Sequence, residues 1–433
     1  MSIVTRTATL VRQFEKNGYL PLLMLTVAIQ GTVLISQTLA SLLLPLEKTG
    51  AIRTFESVAS VTILCASLGT QTLAVREIAA ARNDEDRTRI FGELLALPFI
   101  GVGVLALVAL TSLAMGRAPG GIGLASLLPA VALVLLVSMT RLLSGAAQGL
   151  FKVGAIYRSV IVGSGIAVVF HLFGALSGSI TGWIIGRCLG EAALLAAVAT
   201  SLAKAYPFLS RIGEASRRGI FKQLRTGISV NLALILRMTA DALPIVMMGS
   251  ASSALVIGQF GIATLALTLA ILPIAVLTQL ALPRLTAASS TEQKRAFRRL
   301  ALSVFGGAIV LAAAASLLGI VVRPAMTPPV QASIVAVLVI LWTLPLRSLA
   351  LAFGSLSLAR SNYFGPLAVN VFEVLAVISV MTIRPFGGTI WTSLVAVCIG
   401  AGVSLLGMII QTLLIGTREN PSGNRLDEMA MVD

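Results

Sequence analysis

Two arginine and acid pairs stand at the same helical spacing inside apolar stretches of this 433-residue chain. Arg187 precedes Glu191, and Arg237 precedes Asp241, by four residues each. On a helix this spacing places the two side chains one turn apart on one face. An ionisable group at mid-membrane costs about 2.5 to 3.5 kcal/mol by insertion scales, so such residues are functional candidates by default. The pairs predict either a binding site for a charged substrate or two neutralised pairs that ease membrane insertion.

Two further polar residues belong with these pairs. Asn231 precedes Arg237 in the same stretch, and Glu373 lies in a later stretch without an evident local partner. Glu373 is expected either to form a tertiary salt bridge with Arg187 or Arg237, or to bind a coupling cation or proton. We therefore take Glu373 and Asp241 as candidates for coupling or charge pairing. The candidate substrate-binding residues are Arg187, Glu191, Arg237, Asp241 and Asn231.

Three other titratable residues are expected to lie at the membrane surface. Arg53 and Glu56 stand at the start of an apolar stretch, where simple interfacial residues are common. His171 is the only histidine and stands near the end of another stretch. A lone histidine at such a place is more often a polar interfacial residue than a proton relay.

The elements that position these residues follow from composition. Hydrophobic residues make up 57% of the chain and charged residues 11%, with a mean hydropathy of +0.97. A soluble domain carries about 25% charged residues, so the chain is predicted to be an all-α polytopic membrane protein. Apolar stretches of about 20 residues suit spanning helices, whereas a barrel would show shorter alternating strands. About twelve spans are predicted, at 19–44, 54–74, 93–116, 122–146, 155–176, 178–202, 227–249, 253–281, 300–322, 331–356, 364–383 and 388–416.

The basic residues predict the orientation. Of the 32 Lys and Arg residues, 25 fall on one side when the loops are assigned alternately, including Arg141 and Arg347, and five, including Arg53, fall on the other. Only Arg187 and Arg237 are assigned to the spans themselves. By the positive-inside rule the richer side and both termini are expected to face the cytoplasm. The net charge of +15 is mostly this signature. A nucleic-acid partner is not expected, because no basic soluble surface is present.

A faint internal repeat divides the chain into two halves of six spans. At an offset of 208 residues the matches are Gly50 with Gly258, Arg76 with Arg284, Arg87 with Arg295 and Lys152 with Arg360, while Arg141 matches Arg347 within two residues. An even number of spans keeps both copies in one orientation, which indicates a parallel repeat with a site between two lobes. Chance similarity among hydrophobic helices is the alternative. The predicted units are an interfacial amphipathic helix at 1–17, six-helix lobes at 18–202 and 227–416, a cytoplasmic connection at 203–226 and a polar tail at 417–433.

Motifs of soluble enzymes are missing from the sequence. It contains no Walker A lysine loop, HExxH, CxxC or GxSxG motif, and these are the patterns that would indicate phosphate, zinc, redox or acyl chemistry. We therefore expect no enzyme, no catalytic residue, no cofactor and no metal site. Any transport would be driven by ion gradients, membrane potential or substrate supply.

Several short segments carry a resemblance to a known family. They are Leu46-Glu-Lys-Thr-Gly50, Phe55-Glu-Ser, Leu68-Gly69, Val75-Arg-Glu-Ile78, Arg141 to Gly149 with Gln148, Gly182-Trp183, Asp241, Ile257-Gly258-Gln-Phe-Gly261 and Pro283-Arg284. With the twelve spans and the repeat, the chain resembles the MOP superfamily, in particular its polysaccharide or O-antigen flippase (PST-type) branch. The resemblance covers nearly the whole chain, through degenerate motifs.

The resemblance implies a V-shaped pair of lobes around a cationic cavity, in a cleft lined by spans one, two, seven and eight. It implies flipping of undecaprenyl-pyrophosphate-linked oligosaccharide from the cytoplasmic to the periplasmic leaflet, for surface polysaccharides such as lipopolysaccharide or exopolysaccharide. Arg187 and Arg237 would attract the pyrophosphate or acidic sugars, with Glu191 and Asp241 tuning them. One departure is that both arginines carry an acid, which makes the cavity less cationic. The implied partners are the lipid-linked oligosaccharide, membrane lipids, and a polymerase and glycosyltransferases of the same pathway.

Two other classes stay open at this point. A multidrug exporter of the same superfamily would move amphipathic cations and would show a dominant acidic cavity, whereas here acids and arginines balance. A membrane-embedded polysaccharide polymerase would be an enzyme, and it normally needs a substantial outer loop. The short predicted outer loops argue against the polymerase.

Overall fold

The structure is a computed structural model that describes residues 19–114, 124–150, 153–207, 215–249, 252–287, 290–360, 362, 364–387 and 389–415. The predicted interfacial helix at 1–17 and the predicted tail at 417–433 lie outside these residues. Within them the chain forms α-helices joined by short connections, and no β-strand is formed.

Fourteen α-helices are found in this described part of the chain. They are α1 (Tyr19–Leu43), α2 (Leu46–Ser67), α3 (Thr70–Ala80), α4 (Asp84–Ala114), α5 (Leu124–Gly149), α6 (Val153–Leu176), α7 (Ile180–Ala205), α8 (Arg217–Met248), α9 (Ala254–Ala287), α10 (Ser290–Val322), α11 (Pro328–Leu341), α12 (Leu344–Ala359), α13 (Phe364–Ile383) and α14 (Ile390–Ile415).

Eleven helical stretches of the described residues are long and apolar enough to cross a membrane. A shorter apolar stretch, Val27–Leu43, lies within α1. Two of the eleven are each built from two helices, since α2 continues into α3 and α11 continues into α12. The prediction of an all-α, multi-pass membrane protein with about twelve spans is confirmed.

Each half of the chain has its own apolar core. In the N-terminal lobe, α1 to α7, the core includes Leu73, Leu142 and Leu194. In the C-terminal lobe, α8 to α14, it includes Phe260 and Ile340. Many large apolar side chains outside these cores are exposed on the helices, as expected for surfaces that face lipid rather than water.

The two lobes meet along α2, which packs against α9 near its start and against α8 near its end. At the first contact a Cβ added to Gly50 would lie 2.8 Å from the backbone nitrogen of Gly258, and one added to Gly258 would lie 2.0 Å from the carbonyl oxygen of Leu46. These glycines are the pair matched by the internal repeat. Equivalent residues touch each other where a two-fold axis passes between two copies, so this contact supports the parallel repeat.

The second contact between the lobes lies at the break between α2 and α3. Leu68 and Gly69 both adopt positive φ angles, 47° and 73°, which end α2 and turn the chain into α3. The break brings the Leu68 carbonyl against α8, where a Cβ on Gly227 would stand 2.1 Å from its oxygen. Glycine at 227 therefore allows the two lobes to approach at backbone distance.

The assignment of only two basic residues to the spans was wrong. Arg53, Arg141 and Arg347 also lie inside the membrane-spanning helices α2, α5 and α12, and Arg53 and Arg347 are buried. The predicted ranges 122–146 and 331–356 already include Arg141 and Arg347, so counting these two with the loops is inconsistent with the ranges. Arg53 falls outside its predicted range because hydropathy ends a span where charges appear, whereas a helix continues through a charge that finds a partner within the bundle.

Candidate functional site

The first polar cluster lies inside the N-terminal lobe and joins α2 to α7. Arg187 donates through Nε to Glu56 Oε1 at 2.9 Å and through Nη1 to Glu191, forming two ion pairs. The indole nitrogen of Trp183 donates to the same Glu56 oxygen at 2.8 Å. We call Glu56, Trp183, Arg187 and Glu191 the N-lobe network. The predicted pairing of Arg187 with Glu191 is confirmed, and Glu56 is an additional partner from another helix.

The N-lobe network is sealed from its surroundings. Arg187 is 2% exposed, Glu191 3% and Glu56 4%, so in this conformation none of them presents a surface to a substrate. Arg141 on α5 lies within electrostatic range of Glu191 and Arg187, which balances the charges of the cluster at two positive and two negative. The prediction that Glu56 is interfacial was wrong, because Arg187 draws its carboxylate into the interior.

His171 lies beside this network and is also buried. Its Nδ1 is 2.8 Å from the hydroxyl of Ser36 on α1, and its ring lies 6.1 Å from that of Trp183. A Cβ on Gly190 would stand 2.4 Å from His171 Nε2, so glycine at 190 makes room for the imidazole. The prediction of an interfacial histidine was wrong, since α1, α6 and α7 close around the ring.

The second polar cluster lies in the C-terminal lobe. Asp241 on α8 forms its ion pair with Arg347 on α12, and not with Arg237 one turn away. The predicted pairing of Arg237 with Asp241 was therefore wrong, because a guanidinium from a neighbouring helix takes the carboxylate. Glu373 on α13 stands within electrostatic range of Asp241, Arg347 and Arg237. We call Arg237, Asp241, Arg347 and Glu373 the C-lobe cluster.

The C-lobe cluster is partly open and holds two charges outside ion pairs. The side chain of Asp241 is 35% exposed, although that of its partner Arg347 is only 8% exposed. Arg237 is half-buried and forms no hydrogen bond or ion pair with any residue that the structure describes. Glu373 is buried, and its Oε2 has no hydrogen-bond partner among the described residues.

Asn231 lies at the junction of the two lobes. Its amide donates to the carbonyl oxygen of Leu64 on α2 at 2.6 Å, and it is buried. Asn370 on α13 makes a similar bond within the C-terminal lobe, donating to the carbonyl of Ala233 at 2.7 Å. The structure thus places Asn231 nearly three helical turns from Asp241 on α8 and gives its amide a tethering contact between lobes.

Arg53 forms a second polar contact between the lobes. It donates to Gln37 on α1 and, at 3.1 Å, to Thr264 on α9, while its stem lies against Gly261. The prediction that Arg53 is interfacial was wrong, because its guanidinium turns into the lobe junction. This contact lies one turn from the Gly50 and Gly258 contact.

Sequence reasoning missed Glu56 and Arg347 as members of these clusters, and it missed Arg53 as a contact between the lobes. One signal was available, since Arg141 and Arg347 match in the repeat and each lies beside the buried acids of its own lobe. Among the described residues no group of three or more His, Cys, Asp and Glu side chains is arranged to hold a metal ion.

No protein-family model and no curated protein sequence matches the chain. Several solved structures do match the chain. An inward-facing multidrug resistance MATE family transporter of the MOP superfamily matches with a TM-score of 0.65 and 16% identity, over 92% of this chain and 100% of that one. An outward-facing MATE structure matches with a TM-score of 0.68, 15% identity and coverage of 92% and 94%.

A third match carries a different statement about its binding pocket. It is a MOP superfamily transporter from Pyrococcus furiosus, described as having a pocket of reverse polarity that suggests a different function. The TM-score is 0.67 at 14% identity, with 92% of this chain and 94% of that one covered. At such low identities the likeness concerns the fold alone. The chain has the two-lobed fold of MOP superfamily transporters.

Proposed function

We propose that this protein is a transporter that flips an undecaprenyl-pyrophosphate-linked oligosaccharide between the leaflets by alternating access. The observation that carries the proposal is Arg237, a half-buried guanidinium that forms no ion pair with a described residue. A guanidinium in a partly desolvated site suits phosphate oxygens, because its planar donors bind them in pairs.

The rest of the C-lobe cluster prepares Arg237 for this role. Arg347 engages Asp241 from the neighbouring helix, which withdraws the nearest acid from Arg237 and leaves it available to an anion. Asp241 is still exposed enough to accept hydrogen bonds from sugar hydroxyls. The cluster therefore offers both a cation for the pyrophosphate and an acceptor for the glycan.

Glu373 is the proposed coupling residue. It is the acid of the cluster that lacks an ion pair among the described residues, and one of its oxygens has no partner. A coupling proton or cation would occupy that oxygen. Because Arg237, Asp241 and Arg347 stand nearby, occupation of Glu373 would alter the field at Arg237 and link substrate release to ion binding.

The proposal gives the sealed residues a supporting role. Arg187 and Glu191 are proposed to fix α7 against α2 and so to shape the N-terminal wall of the cleft, with contact to substrate limited to other conformations. The hydrogen bonds that Asn231 and Arg53 form between the lobes would break or re-form as the lobes separate. In the proposed orientation both termini face the cytoplasm of the inner membrane. Glycosyltransferases would supply the substrate and a polymerase would consume it.

A second candidate is export of organic cations, as in a multidrug transporter. The partly exposed carboxylate of Asp241 favours it, because an accessible acid can pair with an amphipathic cation. Against it stands the balance of charge in the C-lobe cluster, where two arginines accompany two acids.

The test compares two arginine variants in reconstituted vesicles. Flipping of a fluorescent undecaprenyl-pyrophosphate oligosaccharide is followed by access of a membrane-impermeant quencher, and uptake of ethidium is followed in the same vesicles. Arg237→Ala is expected to weaken substrate binding roughly ten- to hundredfold, the loss of one charged hydrogen-bonding partner. Arg295→Ala, an exposed arginine on α10, is the matched control and should flip normally.

Two outcomes would contradict the proposal in different ways. Unchanged flipping by Arg237→Ala would exclude Arg237 as the phosphate ligand. Ethidium uptake by the wild-type protein, together with no lipid flipping, would establish the multidrug alternative.

A further inference from the structure

A groove separate from both polar clusters runs along the first half of α8, where it meets the start of α13. It encloses about 1180 Å³. Four basic residues line its outer part, Arg217, Arg218, Lys222 and Arg225, and all four are exposed. None of them forms an ion pair with a residue in the described part of the chain.

The inner part of the groove is apolar. It is lined by Phe221, Ile228 and Leu232 on α8 and by Phe364 and Leu367 on α13. Phe221 is 71% exposed and Phe364 83% exposed. Large apolar side chains exposed on membrane-spanning helices face acyl chains, so this part of the groove opens to the bilayer.

The groove lies on the face of α8 that points away from the other lobe. Gly227 and Asn231 occupy the opposite face and contact Leu68 and Leu64 of the N-terminal lobe. Glu93 on α4 reaches the start of α8, but it accepts a hydrogen bond from Ser216, which precedes the helix. Among the described residues the groove mouth thus carries four positive charges against the single nearby carboxylate of Glu93, a net positive charge that favours an anionic ligand.

We propose that this groove binds an anionic diacyl phospholipid, with the phosphate on the four basic residues and an acyl chain along the apolar part. The order of residues fits this ligand. From Arg217 to Leu232 the helix rises about 22 Å, and half a bilayer with its headgroups measures roughly 20 to 22 Å. The leaflet concerned is the one at the Arg217 end, which is cytoplasmic in the orientation proposed above.

Charge favours a net negative headgroup over a zwitterionic one. Juxtamembrane Lys and Arg residues are attracted to anionic lipid headgroups, and four of them surround one groove mouth here. A phosphatidylcholine headgroup carries a compensating cation and would gain much less. A soluble phosphate would leave the apolar part empty.

The test measures lipid retained by the purified protein in native mass spectrometry. The protein is mixed in detergent with phosphatidylglycerol, phosphatidylcholine or undecaprenyl pyrophosphate, and glycerol phosphate is the soluble competitor. Lys222→Gln with Arg225→Gln is expected to retain phosphatidylglycerol about tenfold more weakly. Arg295→Gln with Arg298→Gln is the matched control, because both are exposed on α10 and removal of the same charge there should change nothing.

A second variant tests the apolar part of the same groove. Phe364→Ala is expected to retain phosphatidylglycerol severalfold more weakly. Its preference for phosphatidylglycerol over phosphatidylcholine should stay unchanged, because the four basic residues remain. Four results would overturn the proposal: equal retention by the groove and control variants, equal retention of the two phospholipids, displacement by glycerol phosphate, or preference of the groove for undecaprenyl pyrophosphate. None of these measurements depends on transport, so failure here is distinguishable from failure of the proposed function.

Discussion

The two lobes contain polar clusters of the same composition but of opposite accessibility. In the N-lobe network, Arg187, Glu56 and Glu191 are closed within the helices, and the neighbouring Arg141 is partly buried. In the C-lobe cluster two arginines and two acids leave Asp241 exposed and Arg237 unpaired with any described residue. Charge content alone therefore does not identify the functional half. The difference arises because Glu56 comes from a second helix to satisfy Arg187, whereas Arg237 has no such partner.

The strongest test of this comparison is Arg187→Ala. It would leave the buried Glu56 and Glu191 with only the neighbouring Arg141 to offset their two charges, so we expect a loss of about 3 to 5 kcal/mol in stability. Thermal unfolding of the purified protein and its amount in the membrane would measure the effect. If the single variant does not accumulate, Arg187→Met combined with Glu56→Gln and Glu191→Gln should restore the protein. Normal stability of Arg187→Ala would show that the network is hydrated rather than sealed.

Arg347→Ala makes the corresponding change in the other lobe. Asp241 loses its ion pair in this variant, but its side chain is partly exposed to begin with. Arg237 lies one turn away on the same helix and can replace the lost cation. We therefore expect a smaller loss of stability, about 1 to 3 kcal/mol, together with loss of transport. Unfolding and vesicle transport are measured on the same preparation. A loss as large as that of Arg187→Ala would remove the distinction between the two clusters.

The smallest change in stability is expected from Glu373→Gln. Glu373 forms no ion pair with a described residue, and its Oε2 has no hydrogen-bond partner there, so stability should fall by only about 0.5 to 1 kcal/mol. Ion-driven accumulation of substrate should nevertheless disappear. Glu56→Gln is the matched variant, and it should lose more stability because it disrupts bonds from Arg187 and Trp183. Equal losses of stability and of ion-driven accumulation in Glu373→Gln and Glu56→Gln would contradict the assignment of Glu373 as the coupling residue.

The sequence predicted the fold better than it predicted the partners of the charged residues. Hydropathy is a sum over long windows, so about twelve helices could be found without any knowledge of packing. The spacing of four residues predicted the pair of Arg187 and Glu191 correctly. The same spacing failed for Arg237 and Asp241, because Arg347 lies 106 positions further along and no local pattern links it to Asp241.

The misplaced interfacial residues have a similar cause. Arg53 and Glu56 follow Lys48, and together these charges resemble the end of an apolar stretch. The helix instead begins at Leu46, and each of the two later charges finds a partner on another helix, Thr264 and Arg187. Such tertiary partners become visible only when the helices have been packed.

The contact between Gly50 and Gly258 also bears on how the two halves of the chain can diverge. In a symmetric pair of identical six-helix units, one codon would set both sides of this contact, and any mutation would appear there twice. In the fused chain two independent codons set it. A Cβ at either position still meets backbone of the opposite half, so duplication frees the surrounding residues to specialise and leaves these two under a shared restraint.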